Sequence, residues 1–597
     1  MMQISQIISN LRNAKHPRFI LFVASILILF SKSIYFHSLT FGAFPSCELE
    51  MALTIYKFYM AKLLCPILIS SVLLFTSKKH WITLCMVLVD IFCIANIIYF
   101  KCYDLFLTPN DLFLVGNMDG AWTSLEAYLD VRLLVFPLLT IVWILISAFM
   151  VIRNVQIIRY IAVWGGVICI LFILSYANNI LVYDYTDACG VTKLSNRSND
   201  APFTFKKYCR LPFMGIAMHR LDNRTYVYEQ SILSYLPAVI IGYLKDVQSD
   251  VELSAQDVTT INKLINQKSS DHISPTHSVI IILVESLESW VINQCIDNIE
   301  LTPFLNKLSS NKNVLCCNKI KSQTLAGNSG DGQMIINSGL LPIKNGVACM
   351  QFYSNVYPNV ASIYPTSHTI NPWPHIWNQT VMSKRYGFKE LHEPEPDQEW
   401  QDVDVFGKCA SIISNTDSKF CVLAITVSMH SPFNRVNNPL NLPKETPELL
   451  RKYMECVNYT DKCIESFVYS QLSDSIRENS TIVITSDHTI FKPAMLPDFM
   501  DYATQRNLSI ASGENYCPLI IYSPQIKGNI QVDELCYQMD VFPTILHLIG
   551  CEDYYWKGFG VNLLDSVARN NRPITEQEAF VLSDKVIRAN YFSSLNK

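Results

Sequence analysis

Five apolar runs of roughly twenty residues each occupy the first third of the chain, and they constrain its fold more than any other feature. Each is long enough to cross the hydrocarbon core of a membrane as a helix, and each is nearly free of charge. The first run is too long for a cleavable signal peptide, and four more follow it. The sequence therefore predicts a five-helix transmembrane domain over residues 1–177. The runs lie at about Phe19–Phe36, Tyr59–Thr76, Trp81–Phe100, Leu133–Val151 and Ile158–Ala177.

Lysine and arginine alternate with acidic residues in the loops between these runs. Basic residues precede the first run and occupy the second and fourth loops, whereas acidic residues dominate the first and third. Because positively charged loops stay in the cytoplasm, this pattern predicts a multi-pass protein of the cell membrane. Its N-terminus is expected in the cytoplasm, and everything after the fifth run outside. The basic residues are Arg12, Lys15, Arg18, Lys78, Lys79, Arg153 and Arg159.

Asp90 is the exception to the lack of charge, since it lies in the middle of the third run. An ionisable residue within a membrane is a functional candidate by default. The alternative interpretation, which we favour, is a structural carboxyl group that is hydrogen-bonded to a neighbouring helix.

Residues 178–277 resemble neither half of the chain and are expected to link them. Within this linker, Tyr235–Leu244 is apolar but too short to span a membrane. It is predicted to form a helix that lies on the membrane surface or packs on the following domain. The sequence does not decide between these two placements.

From residue 278 the chain alternates short apolar, β-branched runs with amphipathic segments. Runs such as SVIIILVES, FCVLAITVS and STIVITSD are apolar on both faces and read as buried strands. Strands that alternate with helices predict an α/β domain with a mostly parallel central sheet, here over residues 278–570, before a tail over 571–597. The net charge of −4 and the lack of a basic, aromatic-rich stripe argue against a nucleic-acid partner.

Polar residues follow three of the predicted strands at the points where these end. Glu285 ends the first, Asp487 and His488 end another, and His430 follows a third. In parallel sheets ligands gather at the carboxyl ends of the strands, so these side chains are expected to converge. Any one of them alone would be an ordinary loop or capping residue. Together, carboxylates and imidazoles predict a site for a divalent cation such as manganese, zinc or magnesium.

A nucleophile is predicted in the Gly- and Ser-rich turn at residues 327–331. The sequence GNSGD places Ser329 at the start of a helix, where the backbone N–H groups favour an anionic group. A hydroxyl that binds a divalent cation loses its proton more easily and becomes a competent nucleophile. The alternative is that Ser329 only caps the helix, for which its residue type is equally suited.

In their order and spacing, these motifs resemble those of the lipoteichoic acid synthase family, which belongs to the alkaline phosphatase and sulfatase superfamily. The likeness covers the layout of nearly the whole chain, and it implies an alkaline-phosphatase/sulfatase-like fold for the α/β domain. The matching segments are VESLESW at Glu285, GNSGDGQ at Ser329, HIWNQ at Trp377, SMHSPF at His430, SDHT at Asp487 and His488, and YQMDVFPTILHLIG with GFGVNLL near the end.

The resemblance implies a role for each matched residue. Glu285, Ser329, Asp487 and His488 would hold one divalent cation, manganese first, with magnesium or zinc as alternatives. Ser329 would also be the attacking residue. The remaining matches, His430, Trp377 and Gln379, would bind substrate.

Two positions depart from the family's pattern. The attacking residue is usually threonine, so Thr324 stays a minor alternative to Ser329. The family's synthases also carry a basic residue shortly after the tryptophan, where this chain has Gln379. This second departure puts the family's usual substrate in doubt.

The function that follows is transfer of a phospholipid head group, phosphoglycerol first, through a Ser-linked intermediate to an extracytoplasmic glycan or lipid acceptor. The membrane phospholipid would be the donor, and the sequence leaves the acceptor and the oligomeric state open. A phosphoethanolamine transferase is the nearest alternative. A sulfatase-like hydrolase or phosphodiesterase is a further alternative. A true sulfatase is disfavoured, because no C/S-x-P-x-R pentapeptide occurs. An inactive metal-binding scaffold would require a missing ligand, and no ligand is missing from the motifs.

Overall fold

The structure is a computed structural model whose described residues fall into two compact units, one up to residue 240 and one from residue 253. The described residues are 16–42, 51–74, 79–103, 106–109, 129–150, 227, 231–237, 239–240, 253–265, 275–325, 327–344, 346–352, 355–371, 385–386, 400–491 and 497–595.

The first unit is built from apolar helices. Of these, three described segments are long and apolar enough to cross a membrane: Pro17–Phe41, His80–Lys101 and Val131–Ala148. They coincide with the first, third and fourth predicted spans and support a membrane protein. The helices of this unit are α1 (Pro17–Phe41), α2 (Met51–Ser71), α3 (His80–Tyr103) and α4 (Val135–Ala148).

The prediction of five spans is not matched by the part of the chain that the structure describes, which contains three. The second predicted span falls on α2, a helix of 21 residues, within which Lys62–Ser71 is a shorter apolar helical segment. The fifth predicted span, Ile158–Ala177, lies outside the described residues.

A buried polar cluster joins three helices of this unit, and we call Lys32, Asp90 and Thr140 the membrane cluster. The Lys32 ammonium forms an ion pair with Asp90 Oδ1 and donates a hydrogen bond of 2.5 Å to Thr140 Oγ1. The Thr140 hydroxyl in turn donates to Asp90 Oδ2, also at 2.5 Å. The prediction that Asp90 hydrogen-bonds to a neighbouring helix is therefore confirmed.

The apolar linker segment packs within this first unit. Residues 232–237 are helical, and the Tyr235 hydroxyl donates to the Phe106 carbonyl at 3.2 Å. Just before them, Ser231 Oγ lies 2.8 Å from Ser33 Oγ of α1. These contacts lie within the first unit, and packing on the following domain stays a prediction. A site at the membrane surface stays a prediction.

The second unit is organised around one large, mostly parallel sheet, as predicted. Its strands lie in the order β10-β4-β9-β8-β1-β7-β5-β6, with β11 beside β4. Only β9 runs antiparallel to its neighbours, β4 and β8. The strands, including the small pair β2–β3, are β1 (Ser278–Val284), β2 (Cys295–Ile296), β3 (Ile299–Glu300), β4 (Val314–Lys321), β5 (Thr366–Ile370), β6 (Arg385–Tyr386), β7 (Phe420–Ile425), β8 (Ser480–Ser486), β9 (Cys517–Tyr522), β10 (Asn529–Val532) and β11 (Cys536–Tyr537).

Every residue of the central strands β1, β7 and β8 is buried, because helices cover both faces of the sheet. Two apolar clusters result, one on each face; within β1, Ile281 packs into one and Ile282 into the other. The helices are α5 (Ala255–Leu264), α6 (Pro303–Ser309), α7 (Ser329–Ser338), α8 (Ala348–Gln351), α9 (Asp402–Ser414), α10 (Glu448–Glu465), α11 (Asp474–Glu478), α12 (Pro497–Gln505), α13 (Val541–Leu548), α14 (Ser566–Asn570), α15 (Glu576–Arg588) and α16 (Tyr591–Leu595).

The last part of the chain, predicted as a tail, includes α15, and α15 packs on the sheet. Ser583 of this helix donates to the Leu341 carbonyl and accepts from the Leu341 amide, at 2.7 and 2.9 Å. Val586 and Ile587 are buried in the apolar cluster on the same face as α7.

Candidate active site

Three neighbouring strands at the centre of the sheet end at the same edge. β1 lies between β7 and β8 and is parallel to both, with Val284 opposite Ser486 and Leu283 opposite Ile425. The residues that follow these strands are therefore brought together. Glu285 follows β1 directly, and Asp487 with His488 follows β8.

Glu285, Asp487 and His488, which we call the ligand cluster, form a buried group with one ligand atom from each within 4.8 Å of the others. His488 Nε2 lies 3.4 Å from Glu285 Oε1 and 3.8 Å from Asp487 Oδ2. The predicted convergence of these three side chains is thus present in the fold.

Ser329 lies at the N-terminus of α7 and reaches the ligand cluster. Its Oγ is 3.2 Å from Glu285 Oε2, to which it donates, and 3.3 Å from His488 Nε2. The preceding Asn328 adopts a positive φ of 38°, which turns the chain sharply into the helix. Asp331 fixes this turn, because one of its oxygens accepts from the amides of Leu325 and Gly327, both at 2.9 Å. The turn that presents the Ser329 hydroxyl to the ligand cluster is therefore held by two hydrogen bonds to Asp331.

Two glycines permit this close approach. A Cβ atom at Gly332 would lie 2.2 Å from the carbonyl oxygen of Asp487, so α7 can contact the end of β8 only with glycine there. A Cβ at Gly327 would lie 2.3 Å from Asp331 Oδ1, the carboxylate that fixes the turn. The glycines of the GNSGDGQ segment thus set the distance between Ser329 and the ligand cluster.

The three residues of the ligand cluster have pKa values that are shifted in different directions by burial and by their neighbours. Burial opposes ionisation of Glu285, but hydrogen bonding to His488 and its charge lower the Glu285 pKa to about 2. Burial and the negative charge of Glu285 raise the pKa of Asp487 to about 7. Burial disfavours the charged form of His488, but the two neighbouring carboxylates outweigh this effect and raise its pKa to about 9.

The donor atoms of this site suit a divalent cation. Asp487 Oδ1 accepts hydrogen bonds from the amides of Ser286 and His488, at 3.0 and 2.8 Å. Asp487 Oδ2 is buried and accepts no hydrogen bond from any residue that the structure describes. A buried carboxylate oxygen without a donor is costly unless a cation is bound. Two carboxylates, an imidazole and a hydroxyl are ligand types that manganese, magnesium or zinc accept.

His430 follows β7 and lies partly buried at the same edge. Its charge interacts with Glu285 and His488, which places it beside the ligand cluster. Burial lowers the pKa of His430, so the imidazole is neutral at neutral pH. Its Nδ1 lies 2.8 Å from the Ser431 carbonyl oxygen and donates to it, which leaves Nε2 as a proton acceptor.

The other predicted site residues have different outcomes. Thr324 Oγ1 lies 3.2 Å from Ser322 Oγ, whereas Ser329 is the hydroxyl hydrogen-bonded to the cluster, which favours Ser329 as the attacking residue. Trp377 and Gln379 lie outside the described residues, and their substrate-binding roles stay predictions. The roles of Ser329 and His430 are likewise inferences from geometry.

Sequence analysis missed two buried carboxylates that support the site, Asp331 and Glu288. Both occur inside motifs that had been quoted, GNSGDGQ and VESLESW, only two and three residues from a predicted site residue. An acid so close to the active residue, in a segment expected to be buried, is a signal that could have identified each. Most of their partners, however, are backbone amides, and those of Ile490 and Phe491 are too distant in sequence for a local pattern to reveal.

Comparison with known proteins defines the class to which this fold and site belong. Residues 277–551 match the model of the family described as Sulfatase, and this range contains Glu285, Ser329, His430, Asp487 and His488. The match shows that this part of the chain is similar to proteins of the Sulfatase family.

Among curated proteins, the chain is similar to lipoteichoic acid synthases. It is 23% identical over 355 residues to lipoteichoic acid synthase 2 of Bacillus subtilis, covering 53% of this chain and 54% of the relative. It is 21% identical over 551 residues to lipoteichoic acid synthase of Staphylococcus aureus, covering 84% of this chain and 77% of the relative. The chain thus spans about half the length of the Bacillus subtilis synthases 1 and 2 that it matches.

A solved membrane protein shares the fold. The integral membrane lipooligosaccharide phosphoethanolamine transferase A of Neisseria meningitidis superposes with a TM-score of 0.54 at 12% identity. The superposition covers 90% of this chain and 96% of that protein. At this identity the likeness shows the fold alone.

Proposed function

We propose that this chain is a metal-dependent membrane phosphotransferase that moves a phospholipid head group through Ser329 to an acceptor outside the cytoplasm. One observation carries the proposal: the Ser329 hydroxyl lies within hydrogen-bond reach of both Glu285 and His488, in a buried group of cation ligands. Phosphoglycerol is the head group we favour, because the curated relatives are named lipoteichoic acid synthases.

A divalent cation, manganese first, would be held by the ligand cluster and Ser329. When bound, it supplies a lower pKa for the serine hydroxyl and charge to offset the phosphoryl oxygens. Magnesium and zinc are the alternatives, since the same oxygen and nitrogen donors accept them.

In the first step, Ser329 Oγ attacks the phosphorus atom of the donor. The new O–P bond forms as the P–O bond to diacylglycerol breaks. The Ser329 hydroxyl gives its proton to water, and the diacylglycerol oxygen takes one from water. The Ser329 hydrogen bond to Glu285 Oε2 orients the hydroxyl so that a lone pair faces the substrate. The head group is then held as a phosphodiester on Ser329.

In the second step, an acceptor hydroxyl attacks the same phosphorus atom, the bond between phosphorus and Ser329 Oγ breaks, and the serine oxygen takes a proton from water. His430 is suited to take the proton of the acceptor hydroxyl, because its imidazole is neutral and Nε2 is a proton acceptor when Nδ1 donates to Ser431. The acceptor is a glycan or lipid. With water as acceptor the same residues would act as a phosphodiesterase.

Location and orientation complete the proposal. The loop charges favour a cytoplasmic N-terminus and a catalytic domain outside, next to the donor lipid. Among the described cysteines, Cys295 of the catalytic unit is the exposed one. A membrane-impermeant maleimide added to intact cells should therefore label the peptide that contains Cys295, and Cys295→Ser should lose that label. Labelling of Cys295 only after the cells are lysed would contradict this orientation.

The test of the nucleophile is release of diacylglycerol from labelled phosphatidylglycerol by the purified full chain. Ser329→Ala should abolish release, because the Ser329 hydroxyl lies within hydrogen-bond reach of the side chains of both Glu285 and His488. Thr324→Ala is the matched control, a nearby hydroxyl in the same loop, and should keep most activity. Undiminished release by Ser329→Ala, or loss only in Thr324→Ala, would overturn the assignment.

The nearest rival substrate is phosphoethanolamine, which the same residues could carry. Phosphatidylethanolamine supplied in place of phosphatidylglycerol distinguishes the two, because the preferred donor releases diacylglycerol faster at equal concentration. An inactive metal-binding scaffold would release none from either.

A further inference from the structure

A second buried acid, Glu288, lies one turn away from the ligand cluster and binds no part of it directly. Its side chain is fully buried and accepts four hydrogen bonds. Oε1 accepts from the amides of Ile490 and Phe491, at 2.8 and 2.7 Å, and from Asn515 Nδ2 at 2.6 Å. Oε2 accepts from Trp290 Nε1 at 2.7 Å. Both oxygens of the carboxylate thus accept hydrogen bonds from protein groups.

These bonds join the two turns that carry the cation ligands. Glu288 follows Glu285 by three residues in the turn after β1. Ile490 and Phe491 follow His488 by two and three residues in the segment after β8. The two segments are about 200 residues apart in sequence, as the separations of 202 and 203 residues for the two backbone bonds show. Glu288 therefore links the turn after β1 to the segment after β8 by hydrogen bonds.

The turn after β1 needs such support because its backbone is strained. Ser286 has a positive φ of 56°, a conformation that side-chain-bearing residues rarely adopt. Tyr453 from α10 holds this turn, since its hydroxyl donates to the Ser286 carbonyl at 3.0 Å and accepts from the Glu288 amide at 3.1 Å. A strained backbone conformation persists only where the surrounding contacts hold it in place.

We infer that Glu288 is a positioning residue of the cation site, which fixes the distance between the Glu285 turn and the Asp487–His488 turn. This inference rests on the proposed metal-dependent function. Groups that orient the ligands of a metal without touching it commonly change metal affinity by about 10- to 100-fold when replaced. Glu288 has the hydrogen bonds and the location for such a role.

The decisive variant is Glu288→Gln in the full-length chain. A glutamine keeps the size of the side chain but turns one acceptor into an N–H donor. That donor must face either Trp290 Nε1 or the three donors at Oε1, so at least one of the four hydrogen bonds is lost in both orientations. We expect the dissociation constant for Mn²⁺ to rise about 10- to 100-fold, measured by titration of the metal-free protein.

Asp461→Asn is the matched control. Asp461 is also a buried carboxylate, and it accepts from the amides of Phe304 and Leu305 at 2.8 and 2.9 Å, at the start of α6. It does not hydrogen-bond to either ligand-bearing turn. Both variants should lower the melting temperature of the metal-free protein, whereas only Glu288→Gln should weaken Mn²⁺ binding.

A milder variant guards against misfolding of Glu288→Gln. Asn515→Ala removes one donor to Glu288 Oε1 from a partly exposed position, and it should weaken Mn²⁺ binding in the same direction by a smaller factor. Unchanged Mn²⁺ affinity in folded Glu288→Gln and Asn515→Ala, with stoichiometric binding by the wild-type protein, would overturn the positioning role alone. Absence of Mn²⁺ binding by the wild-type protein would instead overturn the proposed function.

Discussion

The membrane cluster of the first unit and the ligand cluster of the second both bury charged side chains, and they solve the problem of buried charge in different ways. In the membrane cluster, the single positive charge of Lys32 faces the single negative charge of Asp90, and Thr140 bonds to both. In the ligand cluster, two carboxylates share one histidine, and Asp487 Oδ2 accepts no hydrogen bond from the described residues.

The difference indicates what each cluster is for. A balanced network in which every group has a partner holds helices together and has no place for a ligand. A network with excess negative charge and a buried oxygen that lacks a donor is stable only with a proton or a cation. The same physical test therefore separates a structural charge pair from a binding site, although both lie deep in the protein.

Removal of bound metal should have the largest effect and should separate the clusters most sharply. Stripping divalent cations with a chelator is expected to lower diacylglycerol release by roughly a thousandfold, because metal stabilisation of transition-state charge contributes several kcal/mol. Adding Mn²⁺ back should restore the rate, and Mg²⁺ and Zn²⁺ added in parallel identify the preferred ion. Full activity in the stripped protein would contradict a cation at the ligand cluster.

Breaking the ion pair of the membrane cluster should cost stability instead. Lys32→Met or Asp90→Leu alone leaves one buried charge without its partner, which typically costs about 3–5 kcal/mol in a protein interior. The double variant removes both charges and should recover most of the loss. Thermal unfolding of the purified chain in detergent measures this.

The control for the membrane cluster is Mn²⁺ binding, which none of these three variants should change. If the double variant were as unstable as the worse single variant, the two residues would not act as a balanced pair. The cluster would then be more than a structural link between helices.

The pH dependence of metal binding tests the charge of the ligand cluster. A cation must displace the proton of Asp487, whose pKa is about 7, and that of His488, whose pKa is about 9. Mn²⁺ affinity should therefore rise with pH, by up to about tenfold per unit for each proton displaced. Glu285, with a pKa of about 2, adds nothing above pH 4. A flat affinity between pH 6 and 8 would contradict these protonation states, and Asp461→Asn should follow the wild-type curve.

The smallest expected effect comes from the hydroxyl of the membrane cluster. Thr140→Val keeps the ion pair and the shape of the side chain but removes the bonds to Lys32 and Asp90. We expect a loss of about 1 kcal/mol, as for single hydrogen bonds between membrane helices. A loss as large as that from Lys32→Met would mean that Thr140, and not the ion pair, dominates the cluster.

The residues of the ligand cluster were predictable because strand ends are visible in a sequence. Apolar runs ending in Glu285 and in Asp487–His488 imply parallel neighbours, and parallel neighbours place their ends together. The apolar runs of α1 and α3 were visible for a similar reason, since spanning a membrane requires length and lack of charge. Local patterns therefore gave the sheet, its edge and the membrane helices.

What the sequence did not show depends on contacts between distant segments. The partner of Asp90 is Lys32, 58 residues away, and the partners of Glu288 are backbone amides more than 200 residues away. The close approach of Gly332 to Asp487 also depends on how α7 packs. Such pairings follow from the assembled fold, and no periodicity or motif encodes them.

The central claim is that Ser329 carries the head group between two molecules, and mass spectrometry of the intact chain tests it most directly. The full-length protein, loaded with Mn²⁺ and mixed with phosphatidylglycerol without acceptor, should gain the mass of one phosphoglycerol group on the peptide that contains Ser329. Ser329→Ala should gain none while Thr324→Ala gains it normally. A phosphoethanolamine adduct from phosphatidylethanolamine in preference would change the substrate but keep the mechanism. Diacylglycerol release with no adduct on Ser329, or an adduct on another residue, would contradict the account.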